Sequence, residues 1–461
     1  MAIQQTISPV DGSVYVEREL ADPARVEAAL DRAVAAQRAW RETPLGQRAR
    51  YCSAMVDAIV ARRDSLAEEL TWQMGRPIAA GGGEIGGFEE RARGMIGLAE
   101  AALAPVVLPD KPGFTRYITR EPLGVSFIVA PWNFPFMTAV NAIVPALMAG
   151  NAVILKHSAQ TPLCAERLQE AFDAAGLPGG VFQHLHLSHA ATEALIRDPR
   201  IDHVAFTGSV GGGEMVERNA AGRFIATGLE LGGKDPAYVR ADADLDTAVP
   251  GVMDGAFFNS GQSCCAIERL YVHREIFDTF LERAVAWVRE LRLGNPTDPA
   301  TTLGPVVKPA AADFVRGQVE EAVAAGARAW IDPGDYPLSR PGSAYLAPQV
   351  LTGVDHSMRV MREESFGPVV GIMAVDSDDE AVALMNDSDF GLTAAVFTRD
   401  IATGEALARR LEAGTVFTNR CDYLDPELAW TGVKQSGRGC SLSRVGYETL
   451  TRPKSFHLKH A

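Results

Sequence analysis

The sequence predicts an α/β protein with two doubly wound domains. From Tyr117 onward, short apolar strands alternate with segments of helical periodicity. No formal charge occurs between Glu121 and Lys156, which suits strands buried on both faces of a parallel sheet. The 461 residues exceed one ordinary core and suggest roughly two or three domains.

The elements follow in order. Residues 1–17 are mostly polar and lack the apolar region of a secretion signal. Residues 22–104 read as helices rich in Ala, Arg, Glu and Leu, with a break or loose turn at 81–83. The uncharged stretch is long enough to span a bilayer, but Pro131, Pro135 and Pro145 interrupt it. It reads instead as a strand at 125–130, a buried helix ending near Gly150, and a strand at 152–155. A helix at 162–175 and a strand at 181–186 form the next unit. A strand at 203–206 and a helix after Gly213 form another.

A second α/β region begins near Leu229, with helices at 248–259 and 274–291. Its strands fall at 270–272, 327–331 and 369–374, and residues 453–459 suit a last strand. Residues 332–342 read as surface loop, and no internal repeat is present.

Composition narrows the function. The chain is 47% hydrophobic and 22% charged, the balance of a globular protein. A formal charge of -14 disfavours binding to nucleic acid or to an anionic membrane. Six cysteines in a chain this long do not make a disulfide framework, and none has zinc spacing. These features predict a reduced cytoplasmic protein without a metal. His184, His186 and His189 lie close in sequence, but no carboxylate or cysteine completes a ligand set, so a structural role is the better reading.

Four segments carry candidate chemistry. In Gly261-Gln262-Ser263-Cys264-Cys265, small and polar neighbours at a turn suit a reachable thiolate, although a lone cysteine is more often inert core. In Glu230-Leu231-Gly232-Gly233-Lys234, a crowded carboxylate can serve as general base; a turn glutamate bound to Lys234 is the alternative. In Pro131-Trp132-Asn133-Phe134-Pro135, two prolines fix Asn133 as a donor to an oxyanion or to backbone. Glu363-Glu364-Ser365-Phe366-Gly367-Pro368 has an exposed acidic turn as its alternative. No Gly-x-Gly-x-x-Gly fingerprint follows a strand, and the Thr207-Gly208-Ser209 turn is alone a weak phosphate signal.

Taken together, these motifs resemble the aldehyde dehydrogenase superfamily over essentially the whole chain. Gly150 to Lys156, Phe206 to Ser209, and Gly432 to Gly437 complete the resemblance in the family's order. It implies a dinucleotide-binding domain of residues 1–103 and 123–229 and a catalytic domain of 230–435. A small β oligomerisation element would comprise 104–122 and 436–461, giving a homodimer or homotetramer.

The resemblance also implies roles. Cys264, rather than Cys265, would attack an aldehyde to give a thiohemiacetal and then a thioester. Glu230 would activate the hydrolytic water, and Asn133 would hold the oxyanion. Lys156 would meet the adenosine ribose, Ser209 the pyrophosphate, and Glu364 and Phe366 the nicotinamide ribose and ring. Gly232 and Trp132 would also lie at the cofactor. The cofactor would be NAD or NADP, with NAD slightly favoured.

Departures from the family pattern are informative. Ala159 replaces a glutamate that NAD-preferring relatives often carry, which leaves NADP open. Ala142 and Ser441 replace the lysine and acidic residue that relay protons from the base. Asn141 and Phe258 occupy the positions of arginines that bind the distal carboxylate in succinate-semialdehyde relatives. Phe134, Phe258, Leu424 and Trp430 would instead line an apolar tunnel for an uncharged aliphatic or aromatic aldehyde. Arg420 keeps an acidic semialdehyde in view. A coenzyme A-acylating enzyme, a hydrolase and a non-catalytic protein of this fold are the competing readings; Glu230 argues against the first.

Overall fold

The computed structural model describes residues 2–460. It opens with an antiparallel hairpin of β1 (Ile3–Ile7) and β2 (Val14–Glu19) that polar residues concealed from the sequence reading. Only Thr6 and Val16 of this pair are buried, so its alternation is weak. Four helices follow: α1 (Pro23–Trp40), α2 (Leu45–Val60), α3 (Arg63–Met74) and α4 (Ile78–Leu103). Asp22 caps α1 by accepting from the Arg25 N–H at 2.8 Å.

The break expected at 81–83 is absent, because α4 runs unbroken through those glycines. Its stripe of Ile85, Phe88, Ala92, Met95 and Ala99 is buried against the core. That burial outweighs the low helix propensity of glycine. Gly81 also serves packing, since a Cβ there would sit 2.7 Å from the Ala67 Cβ.

The first sheet contains β5 (Val125–Val129), β6 (Ala152–Lys156), β7 (Phe182–His184), β8 (His203–Thr207) and β9 (Ala226–Glu230), all parallel, in the order β9-β8-β5-β6-β7. Helices α5 (Pro135–Met148), α6 (Pro162–Ala174), α7 (His189–Arg197) and α8 (Val210–Ala220) connect successive strands. The chain steps outward from β5 to β7, then returns to the other side of β5 with β8. Ligands of such sheets bind at the carboxyl ends of the strands around this reversal. Two bounds differ from expectation. The strand at 181–186 is cut to β7, which leaves His186 outside it and bonded to Glu166 at 3.1 Å. Helix α8 starts before Gly213, because Ser209 caps it at the Gly212 N–H.

The second sheet comprises β10 (Asp235–Val239), β11 (Ile267–His273), β12 (Arg328–Ala329), β13 (Gln349–Thr352), β14 (Val369–Val375), β16 (Thr393–Phe397) and β17 (Thr415–Thr418). Its order is β12-β13-β14-β11-β10-β16-β17, and only the short edge strand β12 is antiparallel to its neighbour. Helices α9 (Leu245–Phe257), α10 (Phe277–Arg289) and α11 (Pro309–Ala324) belong to this region. A small pair, β15 (Phe390–Gly391) and β18 (Val433–Lys434), lies beside it. The third sheet has β4 (Phe114–Pro122) between β3 (Val106–Val107) and β20 (Thr451–Lys459). Strand β19 (Gly437–Arg438), from the segment assigned to the bridging element, pairs with β9 and so extends the first sheet.

The continuity of α4 makes a prediction. A Cβ on Gly82 meets nothing nearer than the Arg63 Cδ at 3.8 Å, whereas one on Gly81 strikes Ala67. Gly82→Ala is expected to raise stability by about 0.5–1 kcal/mol. Gly81→Ala is expected to lower it by about 1 kcal/mol or more. Thermal melting of both variants against the native protein measures the contrast.

Candidate active site

Strand β9 delivers Glu230 to the carboxyl edge of the first sheet, opposite Thr207 of β8. The Thr207 hydroxyl donates to Glu230 Oε2 at 3.2 Å, and the Ser441 hydroxyl donates to Oε1. Burial pushes the Glu230 pKa above the usual carboxylate range, while the two hydroxyls and the Arg91 charge pull against it. Lys234 is not its partner: that ammonium pairs with Glu268 and donates to Ser365 Oγ at 3.0 Å. Glu268 in turn accepts from the Ser365 and Phe366 N–H groups at 2.8 and 2.9 Å. This buried pair therefore holds the 364–366 loop.

Helix α9 ends at Phe257, and Asn259, Ser260 and Gly261 then take left-handed φ values of 52°, 59° and 71°. That sharp turn brings Cys264 to a half-buried position. Two glycines permit the approach of neighbouring chain. A Cβ on Gly233 would lie 2.2 Å from the Cys264 carbonyl oxygen, and one on Gly261 would lie 2.2 Å from that of Gly367. Cys265 is only 2% exposed, and its thiol donates to Asp422 at 2.9 Å. Its neighbour Cys264, burial and the Asp422 charge all hold the Cys265 thiol well above the ordinary range. The two adjacent cysteines thus differ in environment: Cys264 is half-buried, and Cys265 is buried with its thiol bonded to Asp422.

Asn133 is 5% exposed and sits on the turn between β5 and α5. Its amide donates one N–H to the Gln262 carbonyl at 3.2 Å. Its own carbonyl accepts from the Arg76 guanidinium and from Asn259 Nδ2 at 3.3 Å. Arg76 forms a fully buried ion pair with Glu84. The residue preceding α5, Phe134, gives no side-chain cap; instead Glu84 Oε1 accepts from the Phe136 and Met137 N–H groups, each at 2.9 Å. A carboxylate on the positive end of the helix satisfies two orphan donors.

A cavity of about 290 Å³ opens in front of Cys264 and Glu230. Phe134, Phe258, Leu424 and Trp430, the four residues expected of a tunnel, all line it. The Phe134 and Phe258 rings stack at 6.3 Å. The sequence reading missed Arg91 of α4, which also lines the cavity and is 8% exposed. Among the described residues its guanidinium forms no ion pair and donates only to the Met137 carbonyl at 3.2 Å. A signal was present: Arg91 lies three residues after Phe88 and four before Met95, on the apolar stripe of α4. Asn141, expected at a carboxylate-binding position, does not line this cavity; it faces a second one behind Glu230. Arg420 is exposed and stacks on Tyr423 at 3.6 Å.

The expected cofactor residues fall at the carboxyl ends of the first sheet and on the 364–366 loop. Lys156 ends β6, and burial draws its pKa down. Ser209 accepts from the Gly212 N–H at 3.3 Å, so α8 presents its amino end there. Glu364 accepts from the Gly233 N–H at 3.0 Å. Burial and the nearby Glu268 push its pKa up to about 8. A Cβ on Gly232 would collide with that carboxylate at 2.5 Å. Phe366, at a left-handed φ of 52°, meets Trp132 edge to face at 5.6 Å. The Ala159 backbone carbonyl accepts from Thr6 Oγ1 at 2.8 Å.

Residues 2–456 match the aldehyde dehydrogenase family. The chain is 40% identical over 452 residues, 98% of each protein, to succinate-semialdehyde dehydrogenase [NADP(+)] 1 of Mycobacterium bovis strain BCG / Pasteur 1173P2. Its fold superimposes with a TM-score of 0.95 on an NAD-dependent aldehyde dehydrogenase from Sinorhizobium meliloti, at 35% identity, covering 99% of this chain and 92% of that one. A succinic semialdehyde dehydrogenase from Streptococcus pyogenes, solved with NADP+, gives a TM-score of 0.94 at 28% identity, covering 99% and 100%. The chain belongs to the aldehyde dehydrogenase family and is an oxidoreductase that oxidises an aldehyde to a carboxylic acid. Among the described residues, no helix is long and apolar enough to cross a membrane.

The buried Arg76–Glu84 pair generates a prediction. Glu84→Ala strands a guanidinium in the core and removes the cap of α5. A loss of about 3–5 kcal/mol is expected. It would be read as a fall in the thermal midpoint; an unchanged midpoint would show that the pair does not anchor this turn.

Proposed function

We propose that this enzyme oxidises a short semialdehyde with a distal carboxylate, and that it uses NADP. The observation that carries this reading is Arg91, a buried cation on the cavity wall with no carboxylate paired to it among the described residues. Such a charge is costly until a counter-ion arrives. The substrate's carboxylate supplies that counter-ion, while Phe134, Phe258, Leu424 and Trp430 cover its methylenes. This is the acidic alternative to the uncharged aldehyde expected from sequence. The M. bovis relative, named for succinate semialdehyde and NADP(+), supports the same class.

Cys264 is the nucleophile, and the burial of Cys265, with its thiol bonded to Asp422, supports the choice. The thiolate forms a C–S bond to the aldehyde carbon. The resulting oxyanion is held by the second N–H of Asn133 and the Cys264 backbone N–H. A nicotinamide held beside Trp132, Glu364 and Phe366 would supply the hydride acceptor. Glu230 then takes a proton from water, whose oxygen adds to the thioester carbon as the C–S bond breaks.

The structure offers a fit for the dinucleotide: the capped amino end of α8 for the pyrophosphate, and the bare Gly232 surface against Glu364 for the ribose. Lys156, Trp132 and Phe366 would complete the contacts. Without a carboxylate at Ala159, nothing there repels a 2′-phosphate. The nine-residue β20 is an edge strand with mostly exposed side chains, a template for pairing with a second copy. A homodimer or homotetramer follows, and a monomer in light scattering would refute it. Six free cysteines support a reducing compartment such as the cytoplasm.

The deciding experiment follows cofactor reduction with succinate semialdehyde, hexanal and benzaldehyde. Succinate semialdehyde is expected to give the highest kcat/KM, and Cys264→Ala to give no turnover with any of the three. Arg91→Leu is expected to cost about 100-fold with succinate semialdehyde, or ~2.7 kcal/mol. Hexanal should change by less than about threefold. Equal losses on both substrates would remove Arg91 from recognition. Ala159→Glu is expected to lower kcat/KM for NADP by about tenfold or more, through like-charge repulsion. NAD should be spared; parallel losses with both cofactors would refute the NADP reading.

A further inference from the structure

Four charged side chains face the substrate cavity: Glu90, Arg91, Glu230 and Asp422. Glu230 is the proposed base. Glu90 is exposed and accepts from the Tyr423 hydroxyl at 2.5 Å. Arg91 and Asp422 remain. They carry opposite charges and share one chamber, yet among the described residues they make no ion pair with each other or with anything else. Neutral groups hold each of them instead. Arg91 donates to the Met137 carbonyl. Asp422 Oδ1 accepts from the Cys265 thiol at 2.9 Å and from the Ser263 hydroxyl at 3.3 Å. Its second oxygen, Oδ2, has no donor among the described residues. Burial raises the Asp422 carboxyl above its ordinary pKa and the Asp254 charge adds to this, whereas the Arg91 charge, whose field reaches it, pulls the other way. Opposite charges withdrawn from water are costly unless they are paired. Held apart on the walls of one cavity, these two are complementary to a ligand that carries both signs.

We infer that the semialdehyde substrate is an amino acid, whose carboxylate meets Arg91 and whose ammonium meets Oδ2 of Asp422. The inference rests on the role proposed above for Arg91. Asp422 grips Ser263 and Cys265, the residues on either side of the nucleophile. An ammonium bound there therefore lies toward the reacting end of the cavity. It supplies the donor that Oδ2 lacks, together with a positive charge that favours the Asp422 anion. A hydroxyl in its place supplies the donor alone. Arg91, Asp422 and the Cys264 thiol then hold three different substituents of one carbon, and three fixed points distinguish mirror images. A single cation in an apolar pocket does not.

The test compares substrates that differ only at the carbon beside the carboxylate: succinate semialdehyde, 2-hydroxy-4-oxobutanoate and both enantiomers of 2-amino-4-oxobutanoate. The better 2-amino enantiomer is expected to exceed succinate semialdehyde at least about tenfold in kcat/KM, and to exceed its mirror image by about as much, because a buried acceptor left without its donor penalises the analogue that lacks one. The 2-hydroxy compound should fall below it. Asp422→Asn keeps an oxygen for Ser263 and Cys265, tolerates the left-handed φ of 52° at this position, and turns the free edge into a donor. It is expected to bring the ratio of 2-amino to unsubstituted substrate down to about one or lower. A native ratio near one, equal rates for the enantiomers, a 2-hydroxy compound as fast as the 2-amino one, or a ratio unmoved by Asp422→Asn overturns the inference. Should that variant fail to fold, competitive inhibition of the native enzyme decides. There 2-aminobutanoate is expected to bind at least about tenfold more tightly than butanoate, and equal inhibition overturns the inference. Succinate semialdehyde ahead of hexanal, with no gain from the amino group, removes this inference alone. Hexanal ahead of every carboxylate substrate removes the reading of Arg91, and this inference with it.

Discussion

The guanidinium of Arg76 joins its own segment, residues 76–84, to two others far away in sequence, at 133–134 and at 259. It pairs with Glu84 of α4, holds the carbonyl of Asn133, contacts Asn259 at 3.2 Å before the cysteine loop, and lies 4.7 Å from the centre of the Phe134 ring. Glu84 meanwhile closes the amino end of α5. Two charges removed from water are tolerated because every arm of the pair is hydrogen-bonded. The helical segment before the first sheet thereby fixes the turn that carries Asn133, and that turn meets the cysteine loop through the Gln262 carbonyl.

Much of this was legible in the sequence. Continuous apolar strands between helix-patterned segments gave both parallel sheets, because strands covered on two faces leave a plain signature. Motifs with fixed chain order singled out Cys264 and Glu230, and the structure brings both to one cavity with Phe134, Phe258, Leu424 and Trp430. The β1–β2 hairpin escaped because it buries too little apolar surface to set up an alternation. The glycines at 81–83 misled for the opposite reason: local propensity argued for a break, and tertiary packing overruled it.

Arg91 and Asn141 show where position in a motif stops being informative. Matching to relatives placed Asn141 beside the substrate, yet α5 turns it to the far side of Glu230. Arg91 belongs to no motif and is found only by asking why a charge interrupts an apolar stripe. Charges at Glu84 and Arg91 of α4 both interrupt such a stripe, one for architecture and the other facing the cavity. Periodicity identified the stripe, but only the fold separates these two uses.

The contact between Gly233 and the Cys264 carbonyl has a consequence for how such an enzyme diversifies. The strand bearing the carboxylate and the loop bearing the thiol are locked at backbone distance, so neither can drift without the other. The opposite wall, from α4 and residues 422–424, meets the cysteine loop through side chains, as where the Cys265 thiol donates to Asp422. Selection for a new aldehyde can therefore rewrite one side of the chamber while the reacting groups on the other side stay in register.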